Sequence, residues 1–289
     1  LPLLADDEPR PFQLVNASGR APLVLVCEHA GRMVPRALGT LGLPPEAFER
    51  HIAYDLGAAA LARELARRLD APLALQPWSR LVCDCNRRPD VPSFAPEVSE
   101  DTAIPGNRRL DPAARQARLE AIFEPFHRGV RRLVDAQLGR HGRIAFVTIH
   151  SFTPVFLGVR RELEVGLLFN RDRRLADAVG RRLRQWNDIR VVDNEPYRMD
   201  DDSDYTVPVH AERRGLPYLE LEIRNDLLAT AEDRRRWADR LAEALRPALA
   251  DVLDDRATAG PRAVPAFADP PGAGCAPPRR RGPASPTDG

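Results

Sequence analysis

The sequence contains no lysine; all 43 basic residues are arginine. Such a bias acts on every position alike, so residue type alone cannot mark any one arginine as part of a site. An excess of one charge is also missing. With 43 basic against 42 acidic residues the formal net charge is +1, which excludes an overall field favouring nucleic acid or an anionic membrane. No apolar stretch approaches the ~20 residues that a membrane span needs. Residues 1–11 lack the charged start and apolar centre of a signal peptide, although the absence of an initial methionine leaves the native start open. Cysteine is scarce. Cys83 and Cys85 have no second pair to complete a cysteine zinc site, and Cys27 and Cys275 stand alone. A reduced, cytoplasmic setting and a small-molecule partner are the expectation, with no nucleic acid and no membrane; the oligomeric state is not legible.

What is present is an alternation of strand and helix patterns. Hydrophobic residues make up 43% of 289, enough for one α/β domain over residues 1–257. Leu23 to Cys27 reads as a buried strand, and Leu61, Leu65 and Leu69 recur at helical spacing. Short strands are expected at Leu73 to Gln76 and Arg80 to Cys85, followed by a long loop from Arg88 to Leu110, a length often found in lids and binding loops. Asp111 and Pro112 open a long helix. Further strands are expected at Ile144 to Ile149, Val165 to Phe169, Ile189 to Val192 and Tyr218 to Ile223. Helices run through Leu175 to Leu183 and, after a Thr230/Asp233 cap, through Trp237 to Leu249. From about Thr258 the composition turns to Pro, Gly, Ala and Arg, which predicts a disordered tail over residues 258–289.

Polar groups gather where strands end, the place at which open α/β sheets bind ligands. The Leu23 strand delivers Glu28 and His29, and the next Asp84, Asn86 and Arg87. His150 and Ser151 follow the third, and Glu222 lies on the fourth. Two imidazoles, a carboxylate and an open water position describe a catalytic zinc site, in which the metal lowers the pKa of water to ~7. A further carboxylate must then move protons, and Glu222 is the best placed. Glu220 shares its face, so periodicity leaves that acidic face either exposed or functional. Ser151 beside His150 lacks a G-x-S-x-G elbow, which sets a serine hydrolase aside. The stretch NEPYRMDDDSDYTVPVH fits a pocket wall or lid, or a plain surface loop, equally well. Its Asp200 to Asp204 run lacks EF-hand spacing and is expected to be solvated.

The order HAG, YDLGA, SRLVCDCNR, IHSFTP and LEIRND, from His29 to Asp226, resembles the N-formylglutamate amidohydrolase family across most of the folded chain. That family is related to the zinc carboxypeptidases and aspartoacylases. The resemblance implies a three-layer α/β fold with a mixed, mostly parallel sheet flanked by helices, of the zinc-carboxypeptidase (phosphorylase/hydrolase-like) type. It further implies zinc bound by His29 and His150, water activated by Glu222, a carbonyl polarised by Arg80, and a substrate carboxylate held by Asn86 and Arg87. In the carboxypeptidase pattern a Glu follows the first His by three residues, but Arg32 stands there. Asp55 in AYDLGA is the preferred third ligand, with a helix N-cap as its alternative role, and Glu28 is the second choice.

The expected activity is zinc-dependent hydrolysis of a small N-acyl amino acid, N-formyl-L-glutamate above others. A carboxypeptidase-like or other N-acyl hydrolase is the alternative, and a non-catalytic binding protein on the same fold is another.

Overall fold

The strand at Leu23–Cys27 is buried along its whole length, and its side chains alternate between two hydrophobic cores. Leu23, Leu25 and Cys27 enter one, Val24 and Val26 the other, as the two-residue period of an extended chain dictates. A strand buried on both faces must lie inside a sheet covered by helices on both sides. The computed structural model, which describes residues 2–254, has this arrangement.

The strands in chain order are β1 (Gln13–Val15), β2 (Leu23–Cys27), β3 (Leu73–Leu75), β4 (Val98–Ser99), β5 (Thr102–Ala103), β6 (Ala145–Phe152), β7 (Val155–Phe156), β8 (Val159–Arg160), β9 (Val165–Leu168), β10 (Val191–Asp193) and β11 (Tyr218–Arg224). The helices are α1 (Ala58–Leu69), α2 (Pro112–Arg118), α3 (Glu124–His141), α4 (Arg174–Leu183), α5 (Thr206–His210) and α6 (Ala231–Asp254). Seven strands form the central sheet in the order β1-β3-β2-β6-β11-β9-β10. Its centre, β3-β2-β6-β11, is parallel; β1 and β9 run antiparallel to their inner neighbours, so the sheet is mixed and mostly parallel.

Helices α1, α4 and α6 cover one face, bringing Leu61, Leu65, Val179, Leu241 and Leu245 against Leu25, Val147 and Leu221. On the other face Phe126, Val130 and Val134 of α3 pack with Val24, Phe146 and Tyr218. The expected long helix is interrupted by a π-helical turn at Leu119–Phe123. Pro125 lies just beyond it and has no N–H to continue the α ladder, and the wider turn accommodates that gap.

The expected strand at Arg80 to Cys85 is a correction: this segment is a buried, irregular turn. Its polar backbone finds local partners. Val82 N bonds Ser79 O, Asp84 N bonds Phe94 O and Asn86 N bonds the Asp84 carboxylate. Apolar residues alone do not make a strand; here they line the second core while the chain bends. The expected strand at Ile189 to Val192 forms slightly later, at Val191–Asp193. No helix among the described residues is long and apolar enough to cross a membrane. The sequence's tail from Thr258 lies outside the described residues.

Candidate active site

The parallel register of β6 and β11 pairs His150 with Glu222 and Thr148 with Glu220. All four lie on the sheet face away from α1, α4 and α6, because the intervening Ile149 and Leu221 point into that other core. His29 arrives two residues beyond β2, the strand beside β6. Asp55 comes from the turn before α1, which Gly57 caps in a left-handed conformation. Its side chain does not cap the helix; the carboxylate turns inward to His150 and the Ser151 N–H.

His29, Asp55 and His150 converge in a buried group whose potential ligand atoms lie within 4.8 Å of one another. Asp55 Oδ2 is 2.9 Å from His150 Nδ1 and 3.4 Å from His29 Nδ1. The opposite edge of each ring meets another buried carboxylate. Asp84 Oδ1 lies 2.7 Å from His29 Nε2, and Glu28 Oε2 lies 3.1 Å from His150 Nε2. Asp84 holds His29 by its Nε2, His150 Nε2 has no aligned partner, and both Nδ1 atoms face Asp55 Oδ2. His29 Nδ1 and both Glu28 oxygens have no aligned hydrogen-bond partner.

Charge around this point is lopsided. Glu28, Asp55, Asp84, Asp204, Glu220 and Glu222 are all buried, whereas Arg80 and Arg87 are the guanidiniums paired among them. Burial and the Arg80 charge oppose protonation of His29, but Asp84 and Asp55 outweigh them and raise its pKa. Burial likewise opposes His150 protonation, yet Glu220, Glu28 and Asp55 drive it well above the ordinary value. Burial would raise Asp84, but Arg80 and His29 hold it well below the usual carboxylate range. This field stabilises positive charge among the two imidazoles and Asp55. Two nitrogens, one carboxylate oxygen and anionic surroundings fit a divalent metal ion.

Glu222 behaves differently. Burial pushes its pKa well above normal; His150 opposes this, while Asp55 and Glu220 add repulsion. One of its oxygens is buried without a partner. Glu220, by contrast, is tied to Asn86 Nδ2 at 3.4 Å and Thr148 Oγ1 at 3.3 Å. The acidic face whose burial the sequence left open is therefore buried, and its two acids have different surroundings.

The turn containing SRLVCDCNR places Arg80, Asp84, Asn86 and Arg87 on the wall of the same pocket, about 310 Å³ in volume. Arg80 Nη2 donates to Asp84 at 2.7 Å, and Arg80 Nη1 lies 3.4 Å from Asp55. Arg87 is ion-paired with Asp204. Asn86 Oδ1 accepts the Thr206 N–H. Asp204 therefore corrects the expectation that the Asp200 to Asp204 run is solvated, and Asp201 pairs with Arg171. Further wall comes from the loop after Arg88, through Val98 and Glu100, and from Tyr197, Arg198 and Met199 of the NEPYRMDDDSDYTVPVH stretch. Both segments proved to be pocket wall. The end of an apolar run marks Asp84 in the sequence but not its role, because its contact with His29 spans 55 residues of sequence.

Fold and site together define an α/β protein with a buried His-Asp-His centre able to hold a metal at the carboxyl ends of parallel strands. The chain belongs to the N-formylglutamate amidohydrolase family, whose sequence pattern matches residues 21–229. The crystal structure of a gene product of Agrobacterium tumefaciens is similar, with 40% identity and a TM-score of 0.83 over 86% of this chain and 99% of that one. An N-formylglutamate amidohydrolase from Ralstonia eutropha shares the fold, with 21% identity and a TM-score of 0.61 over 85% and 99% of the two chains. No curated protein matches the sequence.

Proposed function

We propose that this amidohydrolase cleaves the amide of N-formyl-L-glutamate, giving formate and L-glutamate, with zinc held by His29, Asp55 and His150. The observation that carries the reading is the buried cluster of these three side chains, with Asp84 and Glu28 backing the two imidazoles. Zinc bound there would acidify water and polarise the formyl carbonyl.

The chain's own residues supply the rest. Glu222, with its unpartnered buried oxygen, accepts a proton from the attacking water and returns it to the leaving amine. Burial raises its pKa, which makes it a stronger base than an exposed carboxylate. Arg80 is held by Asp84 and Asp55, so its charge is already in place to stabilise the oxyanion as it forms. Arg87 takes a substrate carboxylate in exchange for Asp204, and a planar fork matches that group. Asn86 orients the arginine's turn through Thr206 and Glu220 and presents its remaining amide hydrogen to the same carboxylate.

The test is elemental analysis together with formate release. Purified protein should carry one zinc per chain, lost in His29→Ala and His150→Ala. Glu222→Gln should keep zinc and lose about 10²–10⁴-fold in kcat, the usual contribution of a positioned acid-base group. Turnover at the wild-type rate in Glu222→Gln would remove the base assignment, and turnover by metal-free protein would remove the zinc.

A further inference from the structure

The arginines of the pocket differ in what they are doing. Arg80 is paired with Asp84 and Asp55, and Arg87 with Asp204. Arg198 also lines the pocket and is exposed, but no ion pair or hydrogen bond joins its side chain to another described residue. Its backbone, however, is well held. On one side the Tyr197 hydroxyl accepts from Arg161 Nη1 at 3.1 Å, and the Arg161 guanidinium lies 4.9 Å from the Tyr197 ring and 4.7 Å from that of Phe156. On the other side Met199 is 4% exposed within the second core.

The approach of this segment to the reacting groups depends on Gly166. That residue pairs with Glu222 across β9 and β11, and a Cβ there would lie 2.0 Å from the Glu195 carbonyl oxygen. The missing side chain lets residues 195–198 cross beside Glu222. The result is a guanidinium free to take an anion, mounted on a fixed stretch of backbone at the pocket wall.

We propose that Arg198 binds the side-chain carboxylate of the substrate and so sets a preference for N-acyl dicarboxylic amino acids. The inference rests on the amidohydrolase reading above, in which Arg87 takes one carboxylate and a glutamate substrate brings a second. A guanidinium with no internal anion loses no ion pair when it binds the ligand, and a neutral amide in place of the carboxylate would forfeit the charge-assisted bond.

The test compares kcat/KM for N-formyl-L-glutamate and N-formyl-L-glutamine in wild type, Arg198→Gln and Arg198→Lys. The wild type should favour the glutamate compound. Arg198→Gln should lower that preference about tenfold or more, through KM, because a hydrogen bond to a charged group is lost. Arg198→Lys should recover part of it. A wild type without the preference, or an Arg198→Gln variant that keeps it, overturns the proposal. If the wild type hydrolyses neither compound, the amidohydrolase reading fails. Calorimetric binding of glutarate then decides the present point: weaker binding in Arg198→Gln sustains a dicarboxylate site, and equal binding ends it.

Discussion

Lowering the pH from 7 to 4 should cost the fold about 3 kcal/mol through His127 alone. This residue is 3% exposed and surrounded by Phe123, Phe126 and Tyr205. Its Nε2–H donates to the Cys85 carbonyl at 2.8 Å, so its Nδ1 must accept from His210 Nε2–H at 2.9 Å. Both rings are then neutral, and His210 Nδ1 is left without a partner. Burial depresses the His127 pKa from 6.5 to about 4, and burial together with His127 and nearby arginines depresses that of His210 well below normal. The folded pKa lies below the unfolded one, so the contribution is present above pH 6.5 and is lost as pH falls towards 4. At pH 4 the unfolded chain binds almost a full proton at this site and the folded chain half of one. Integrating the difference gives about 3 kcal/mol. Urea unfolding of wild type and His127→Gln at pH 7 and pH 4 isolates the effect, since glutamine keeps a donor and an acceptor without titrating. The wild type should lose about 3 kcal/mol more than the variant. Equal losses would refute the argument. The consequence reaches the site, because the Cys85 carbonyl sits between Asp84 and Asn86.

Asp84→Asn keeps the shape of the side chain but removes the charge facing both His29 and Arg80. Metal affinity, measured by chelator competition, should fall about 10–100-fold, and an unchanged affinity would deny Asp84 that orienting role. Gly166→Ala sets a methyl group against the Glu195 carbonyl. It should lower stability by about 1–3 kcal/mol as the backbone shifts, and raise KM for the glutamate substrate by moving Tyr197 and Arg198. Wild-type stability and KM in this variant would show that the close approach has no consequence.

Local sequence determined much of the framework. Apolar runs at Leu23 and Ala145, helical spacing at Leu61, Leu65 and Leu69, and the Thr230/Asp233 cap at α6 correspond to formed elements. Those signals depend on periods of two and 3.6 residues, which a short window contains. The same reading placed His29, His150 and Glu222 on strands or at their ends, and only the family resemblance joined them in one site. The partners of these residues were harder to read because each meeting is made by the folded chain. Arg80 to Cys85 carries strand-like residues, yet its polar backbone is satisfied by Ser79, Phe94 and Asp84, so it bends. Asp55 is the preferred ligand with a helix cap as its alternative, and its carboxylate faces His150 across 95 residues of sequence instead of capping α1. Glu28, the second choice of ligand, lies against the other imidazole, at His150 Nε2. Sequence fixes what a segment can do with its own neighbours. Charge compensation in a buried site is decided by whichever groups the sheet brings together, and only the tertiary structure contains those distances.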